Sequence, residues 1–250
     1  MHLILTGATG LVGSSVLDAM LRSTAVSKIS ILSRSPVQMA EDAKDPRVHI
    51  ITHKDFESYK PELLDKLKDA DGCVWALGIS QTKVGKEEYV KITKDYALAA
   101  ANAFSTIKPS NHPFRFIHVS GEGATQTPGR FSPIFARVKG TTEELLGTLS
   151  ELNPTFRVDS VRPGFVDPAT HHAIKPYIPS GIVSNLGLAL LAPGLRYFMQ
   201  SKHSPTEHLG SFLTEMAMGR HEEILQGPGV FKLGGGYVVE NSGMRRILGL

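Results

Sequence analysis

The chain opens with MHLILTGATGLVGSSVLDAMLRSTAVSKISILSR, residues 1–34, the most informative stretch of the sequence. Residues 2–6 form a short apolar run of the kind that becomes a buried parallel strand. Residues 14–21 have the pattern of the first turns of a helix. A strand that stops abruptly before a helix leaves the N–H groups of the helix N-terminus available to a phosphate. The stretch therefore predicts a nucleotide-binding turn.

Three glycines connect this strand to this helix, at Gly7, Gly10 and Gly13. Gly7 allows a tight turn, Gly10 the close approach of a pyrophosphate, and Gly13 the packing of helix on strand. A glycine pattern alone is weak, but its place after an N-terminal strand is the context that such a loop needs. We therefore expect the cofactor to contact Gly7, Thr9, Gly10, Leu11, Val12 and Gly13.

The rest of the chain continues the alternation of strands and helices. Further strands are predicted at residues 28–33, 47–52, 71–77, 114–119 and 156–161, and further helices at 61–68, 86–104, 133–152 and 205–218. Six strands alternating with helices predict an α/β fold, a doubly wound parallel sheet (Rossmann fold) with right-handed crossovers. We assign residues 1–165 to the dinucleotide-binding core. Residues 166–250 are assigned to the remaining core helix and a small C-terminal substrate-facing lobe, within one structural domain overall.

The composition is that of a globular protein. The 250 residues are 41% hydrophobic and 20% charged, which allows a sizeable core without metals or disulfides. The net charge of +3 comes without a basic run, so nucleic acid is not an expected partner. The single cysteine, Cys73, excludes an intrachain disulfide and fits a reducing compartment. With no signal peptide evident, we expect a cytoplasmic monomer or homodimer that acts on a small molecule.

No apolar run is long enough to span a bilayer, which takes about 18 residues or more. The apolar stretch at residues 184–200 could make peripheral membrane contact instead. It carries few cations, which favours packing in the interior or in an oligomer.

The residue after the second predicted strand distinguishes between dinucleotides. An acidic side chain there accepts hydrogen bonds from the ribose 2′-OH of NAD, whereas an arginine suits the 2′-phosphate of NADP. Arg34 holds this position, flanked by Ser33 and Ser35. Arg34 therefore predicts NADP(H) as the cofactor, the alternative being a solvated surface arginine.

The opening TGATGLVG, with its GxxGxxG spacing, resembles the extended and atypical short-chain dehydrogenases/reductases. Over most of residues 1–165 the chain is similar to the atypical group around the Tat-interacting oxidoreductase-like protein and its fungal mitochondrial relatives. That similarity lies in residues 76–78, the helix around Tyr96 and the segment 138–140. It implies NADP(H) binding by a monomer-sized Rossmann domain, and the mitochondrial surface as an alternative location.

The resemblance also implies further cofactor contacts. In extended members an aspartate after the third strand accepts from the adenine amino group, which is the place of Asp55; capping of a turn is its alternative. The end of the fourth strand lines the crevice of such sheets. The motif after the sixth strand touches the nicotinamide carboxamide, unless it is a plain turn. These positions add Asp55, Phe56, Ala76, Leu77, Gly78, Pro163, Gly164 and Phe165 to the expected cofactor site.

In this superfamily, reduction uses a serine after the fifth strand and a Tyr-x-x-x-Lys on the next helix. The lysine holds the nicotinamide ribose and lowers the pKa of the tyrosine, which passes a proton to the substrate. RFSPIFARVKGTTEELL, residues 130–146, places Lys139 on the lysine and Phe135 on the tyrosine. Ser120 is followed by Gly121, where related chains carry two serines. The candidate catalytic residues are thus Lys139, Ser120 and, in place of the tyrosine, Phe135.

Because phenylalanine has no proton to give, three functions stay open. The first is an NADP(H)-dependent oxidoreductase acting on an activated double bond or imine, with its proton from water or another side chain. The second is a non-catalytic NADP(H) sensor or scaffold, and the third a non-redox isomerase or lyase. No metal site is expected, since adjacent histidines point in different directions. Polar side chains that could replace the tyrosine are Glu122, Arg130, His171, His172 and Tyr177.

Overall fold

The computed structural model describes residues 1–107, 112–178 and 199–250. A sheet of eight strands in the order β3-β2-β1-β4-β5-β6-β10-β9 forms its centre. Neighbouring strands are parallel except β9, which runs antiparallel to β10. β7 and β8 form a separate parallel pair. The strands are β1 His2–Thr6, β2 Lys28–Ser33, β3 Val48–Thr52, β4 Gly72–Trp75, β5 Phe114–Val119, β6 Phe156–Arg162, β7 Phe165–Asp167, β8 His203–Pro205, β9 Val230–Leu233 and β10 Gly236–Glu240.

Helices cover both faces of this sheet, which confirms the predicted doubly wound α/β fold. The described α-helices are α1 Leu11–Arg22, α2 Gln38–Ala43, α3 Pro61–Leu67, α4 Lys86–Val90, α5 Tyr96–Phe104, α6 Ile134–Leu152, α7 Thr206–Ala217 and α8 Asn241–Leu248. A π-helical turn, Lys91–Asp95, joins α4 to α5. Short 3₁₀ turns occur at His172–Tyr177, Gln200–Lys202 and Glu222–Ile224.

Two hydrophobic cores lie on opposite faces of the sheet, because successive strand residues point to opposite sides. Leu3 and Leu5 of β1 pack on the face covered by α1, α7 and α8. Ile4 packs on the other face, with α5 and α6. Ala97, Ala100 and Ala101 of α5 are fully buried there, and their small side chains let the helix approach the strands. All five residues of β1 are buried, which explains its continuous apolar run.

The central sheet has eight strands, whereas the sequence predicts six, and the C-terminal segment supplies the two additional ones. β10 pairs in parallel with β6, with Val238 opposite Ser160, and β9 closes the edge as a hairpin with β10. The tail therefore extends the central sheet to eight strands. The hairpin is hard to recognise in the sequence because its strands are only four and five residues long and three consecutive glycines interrupt their pattern.

Residues 184–200, for which a membrane-surface or interior position was considered, fall almost entirely outside the described residues. Among the helices that the structure does describe, none combines the length and the apolar character needed to cross a membrane.

The turn between β1 and α1 is held by direct backbone contact. Gly7 adopts a left-handed φ of +71°, and a Cβ there would lie 2.4 Å from the carbonyl oxygen of Ala76 at the end of β4. A Cβ on Gly13 would lie 1.9 Å from the carbonyl oxygen of Gly7. Gly10, in contrast, is extended, and its Cβ would meet only the Gly7 oxygen at 3.3 Å. The first and third glycines are thus required by packing, and the second leaves open space.

We expect Gly13→Ala to destabilise the protein much more than Gly10→Ala. A methyl group on Gly13 must push α1 away from β1, and overpacking of this kind typically costs about 1–3 kcal/mol or more. A methyl group on Gly10 requires only a small adjustment. Urea unfolding followed by circular dichroism measures both free energies. Equal losses for the two variants would contradict the packing described for this turn.

Candidate cofactor and active site

A cavity of about 670 Å³ opens where β1, β4, β5 and β6 end, at the carboxyl edge of the sheet. Ligands of open α/β sheets bind at this edge, and the volume lies in the range of small-molecule sites. Its lining comprises Gly7, Thr9, Gly10, Leu11, Val12, Leu32, Ser33, Arg34, Ser35, Phe56, Ala76, Leu77, Gly78, Ile79, Ser80, Lys83, Thr93, His118, Val119, Ser120, Gly121, Lys139, Pro163, Gly164 and Val166.

One side of the cavity is formed by the glycine-rich turn and the start of α1. Gly10 is the N-cap of this helix and offers no side chain to its first N–H groups. The first amides of a helix have no intrahelical acceptor and attract anions. Gly10 N donates to Gly7 O at 2.9 Å, which sets the turn. Gly13 does not line the cavity and supports the turn from behind.

The end of β2 forms the neighbouring corner. Ser33 Oγ donates to Ser35 O at 2.7 Å, an arrangement that fixes the backbone on both sides of Arg34. Arg34 is exposed at the cavity, and none of the ion pairs among the described residues includes its guanidinium. The corner thus carries an unpaired cation next to hydroxyl groups.

The third predicted cofactor segment is only partly in place. Phe56 is buried and is one of the residues that line the cavity. Asp55 lies outside the lining, and its Oδ1 accepts a hydrogen bond from Glu57 N at 3.0 Å. The structure thus shows the turn cap that was the alternative role of Asp55, and the contact with adenine stays a prediction.

The far end of the cavity is formed by β4, β5, β6 and α6. Ala76, Leu77 and Gly78 follow β4 and line it, as do Pro163 and Gly164 after β6. Phe165 lies outside the lining, between Gly164 and Val166, and its ring stacks on His203 with centroids 6.3 Å apart. Its contact with the cofactor stays a prediction.

Lys139 of α6 reaches into this end of the cavity. Its Nζ donates to the carbonyl oxygen of Ser120 at 2.6 Å. The close approach of α6 requires Gly140, where a Cβ would lie 1.9 Å from Thr125 O. Ser120 Oγ is buried without a hydrogen-bond partner among the described residues. A buried hydroxyl left unpaired in a cavity is a position where a ligand would complete the hydrogen bonding.

Burial shifts the protonation of both ionisable groups at this end. It lowers the pKa of Lys139 to about 8, and the nearby carboxylate of Glu143 offsets part of that effect. Burial, with the positive charge of Lys139, lowers the pKa of His118 to about 3, so the imidazole is neutral. His118 Nδ1 lies 3.2 Å from Ser160 Oγ.

Phe135 stands one helical turn before Lys139, as its spacing predicts, but its ring does not line the cavity. The ring is half-buried against Gly123, where a Cβ would lie 3.5 Å from it. Phe135 N donates to Gln81 Oε1 at 3.2 Å. The position of Phe135 on α6 is thus as expected, while its ring packs against the loop that follows β5.

The other polar candidates lie away from this cavity. His171 is buried between Asp18 Oδ2, at 3.0 Å, and Thr206 Oγ1, at 3.1 Å. Tyr177 donates to Asp42 Oδ2 at 2.9 Å. Glu122 pairs with Lys202 beside a second cavity of about 400 Å³. Arg130 and His172 are exposed outside the lining.

His118 and Thr93 line the cavity but were absent from the sequence-based site. His118 could have been found, because it lies two residues before Ser120 and so shares its side of the chain. Thr93 lies in the π-helical turn, and nothing in the sequence announces that turn. Among the described residues, no group of three or more His, Cys, Asp or Glu side chains is arranged to hold a metal.

We expect the free energy of unfolding to fall as the pH drops, because His118 is held in its neutral form in the folded protein. Its pKa is about 3 in the folded protein, against 6.5 for a free histidine, so between these values the unfolded chain binds more protons. Between pH 7 and pH 5 this loss amounts to about 2 kcal/mol. Urea unfolding should show that loss for wild type and for His208→Asn, which changes an exposed histidine, but not for His118→Asn. Parallel pH profiles for all three proteins would contradict the assignment.

Comparisons with known proteins show relatives in fungi. The chain is 32% identical over 244 residues to leucinostatins biosynthesis cluster protein T of Purpureocillium lilacinum, which covers 90% of this chain and 87% of the relative. It is 42% identical over 159 residues to botcinic acid biosynthesis cluster B protein 16 of Botryotinia fuckeliana, covering 62% and 99%. Protein fmp52, mitochondrial, of Emericella nidulans is 26% identical over 166 residues, or 66% of each chain. No protein-family model matches the chain.

Solved structures share the fold. A short-chain dehydrogenase family protein from Francisella tularensis superposes with a TM-score of 0.66 at 14% identity, covering 97% of each chain. UDP-glucuronic acid 4-epimerase from Bacillus cereus, in complex with UDP-glucuronic acid and NAD, gives 0.60 at 15% identity, covering 100% of this chain and 84% of that one. Together with the fungal relatives, these findings confirm the resemblance seen in the glycine turn and the Lys139 helix. The chain belongs to the family of these fungal biosynthesis-cluster proteins and has the fold of the short-chain dehydrogenases/reductases.

Proposed function

We propose that the protein is an NADP(H)-dependent reductase of a small organic molecule. The observation that carries the proposal is that one cavity contains the glycine turn, an arginine that forms no ion pair with the described residues, and a partly buried lysine. These groups suit, in that order, a pyrophosphate, a 2′-phosphate and a nicotinamide ribose. When bound, the reduced nicotinamide supplies a hydride.

The residues present fit such a cofactor. Space is open at Gly10, where a Cβ would meet no atom closer than 3.3 Å. The unpaired Ser120 hydroxyl offers a hydrogen bond at the opposite end of the cavity. Lys139 Nζ, close to Ser120, would donate to the ribose, and the end of β4 would lie along the cofactor.

An activated double bond or an imine is the substrate class that we propose, because Phe135 stands where a tyrosine usually donates the proton. Positioned proton transfer is worth ~10²–10⁴-fold, so ordinary ketones and aldehydes are expected to react slowly. The two more similar relatives are named after biosynthesis clusters, which supports a step in the synthesis of a secondary metabolite. A cytoplasmic location is proposed, with the mitochondrion as the alternative that the fmp52 relative supports.

The replacement of the tyrosine also favours a second function, that of an NADP(H) sensor or scaffold. A protein that binds the dinucleotide without reacting needs the glycine turn and Arg34 but no proton donor. Steady oxidation of NADPH with an activated substrate would separate the reductase from the sensor.

We expect Arg34→Ala to weaken the binding of NADPH and to leave that of NADH nearly unchanged. A charge-assisted hydrogen bond to a phosphate contributes about 1.5–3 kcal/mol, a tenfold or larger change in affinity. Isothermal titration calorimetry measures both constants. Arg220→Ala, which removes an exposed arginine near the amino-terminal edge of the sheet, is the matched control. Equal losses for both dinucleotides would remove the basis for NADP(H) preference.

We expect Gly10→Val to abolish dinucleotide binding in a protein that stays folded. The valine side chain would fill the space that the pyrophosphate needs, whereas the extended backbone of Gly10 accepts a Cβ. Circular dichroism checks the fold, and calorimetry with NADPH checks the binding. Wild-type affinity in the folded variant would mean that the pyrophosphate does not lie on this turn.

A further inference from the structure

We propose that the ammonium group of Lys139 is the proton donor of the reduction, acting through the space that Gly121 leaves beside it. The inference rests on the proposed reductase function and assigns the proton transfer that Phe135 cannot perform. In this arrangement Lys139 is a catalytic residue as well as a ligand of the ribose.

Few side chains in the cavity can supply a proton at its far end. His118 is neutral, with a pKa of about 3, and so holds no proton that it readily gives up. Arg34 lies at the other end and does not deprotonate in proteins. Lys83 is exposed on the loop after β4. The Ser120 hydroxyl has no neighbouring base to replace a proton that it donates. Lys139 remains as the acid.

The Lys139 ammonium has N–H groups that do not bond within the described part of the chain. An ammonium group carries three N–H donors, and in the structure one of them is used, toward Ser120 O. Glu143, one turn further along α6, does not form an ion pair with it. That carboxylate accepts from Arg162 Nε at 2.9 Å and Nη2 at 2.5 Å, and from Gln126 Nε2 at 2.5 Å. Because Glu143 is engaged in this way, the partly buried Lys139 ammonium has no carboxylate partner among the described residues.

Gly121 leaves the ammonium accessible from the cavity. A Cβ at Gly121 would lie 3.5 Å from Lys139 Nζ and 3.7 Å from its Cδ and Cε. Any side chain there would cover this part of the lysine. Glycine instead leaves room for a substrate atom to accept a hydrogen bond from Nζ. Related chains carry a serine at the position of Gly121 and a tyrosine at that of Phe135. The space left by the missing serine side chain thus lets Lys139 perform the proton transfer that is lost with the tyrosine.

The protonation state suits this role. The charged group that acts on the Lys139 ammonium is Glu143 from α6, and its charge is balanced by Arg162 from β6. His118 from β5 is affected by the charge of Lys139 and is itself neutral. Burial holds the pKa of Lys139 at about 8. The group is therefore mostly protonated at pH 7, and an acid whose pKa lies near the working pH transfers its proton efficiently.

The step balances as follows. The electrophilic carbon of an imine C=N bond, or of an activated C=O bond, would gain the hydride that bound NADPH supplies, and NADPH would be oxidised to NADP⁺. The π electrons move to the oxygen or nitrogen, which forms a bond to a proton of Nζ as that N–H bond breaks. Lys139 is left as a neutral amine and regains its proton from water.

The test measures single-turnover oxidation of NADPH with 9,10-phenanthrenequinone, an activated carbonyl probe, as a function of pH. Wild type should lose activity as the pH rises through about 8, because the acid deprotonates.

In Lys139→Ala the turnover rate should fall ~10²–10⁴-fold, and added primary amines should restore turnover at a rate that depends on the pKa of each amine. Lys139→Arg keeps the charge and the donor toward Ser120 O but should turn over as poorly as Lys139→Ala. Gly121→Ala should lower turnover while NADPH binding is retained.

A second readout does not depend on turnover. The ¹³C resonance of Lys139 Cε in the cofactor-free protein should titrate near pH 8, against about 10.4 for a free lysine. Titration near 10.4 would overturn the proposal, as would wild-type turnover by Lys139→Arg or a pH dependence that disappears in Lys83→Ala. Absence of NADPH binding in calorimetry would instead refute the proposed function itself. Tight binding without oxidation of NADPH would favour the sensor and overturn the role of Lys139 as an acid.

Discussion

The contact between the backbones of β1, β4 and α1 is the constraint on which the rest of the structure depends. Gly7 turns the chain at a positive φ against the carbonyl of Ala76, and Gly13 brings α1 onto the oxygen of Gly7. Only glycine fits these two positions, since a Cβ would collide with main-chain atoms that cannot move independently. The same contact aims the N-terminus of α1 into the cavity and brings the ends of the central strands around it.

A second set of interactions determines the charges at the end of the cavity that is formed by β4, β5, β6 and α6. Arg162 and Gln126 both bind Glu143, so among the described residues the buried carboxylate is paired and the partly buried lysine is not. A buried charge without a partner is costly, and the protein meets this cost by a lowered pKa of Lys139. Such perturbed groups concentrate at functional sites because catalysis needs a proton that moves near neutral pH. The chemistry of this end thus depends on a pairing one helical turn away, between Glu143 of α6 and Arg162 of β6.

Two predictions failed for identifiable physical reasons. The β9–β10 hairpin was missed because short strands with glycines between them carry little periodic signal, and their pairing with β6 is a long-range contact. Phe135 has the right spacing on α6, but spacing sets the face of a helix and not the rotamer or the neighbouring loop.

The sequence by itself determined the alternation of strands and helices, the glycine turn, Arg34 after β2 and Lys139 on α6. These features are local, since each depends on residues within one turn or one element. Only the tertiary structure decided that, within the described part of the chain, Lys139 has no carboxylate partner and the buried Ser120 Oγ no hydrogen-bond partner, and that His118 lines the same cavity. Those properties depend on which distant segments meet and on how much water they exclude, and burial is what changes the pKa of an ionisable group.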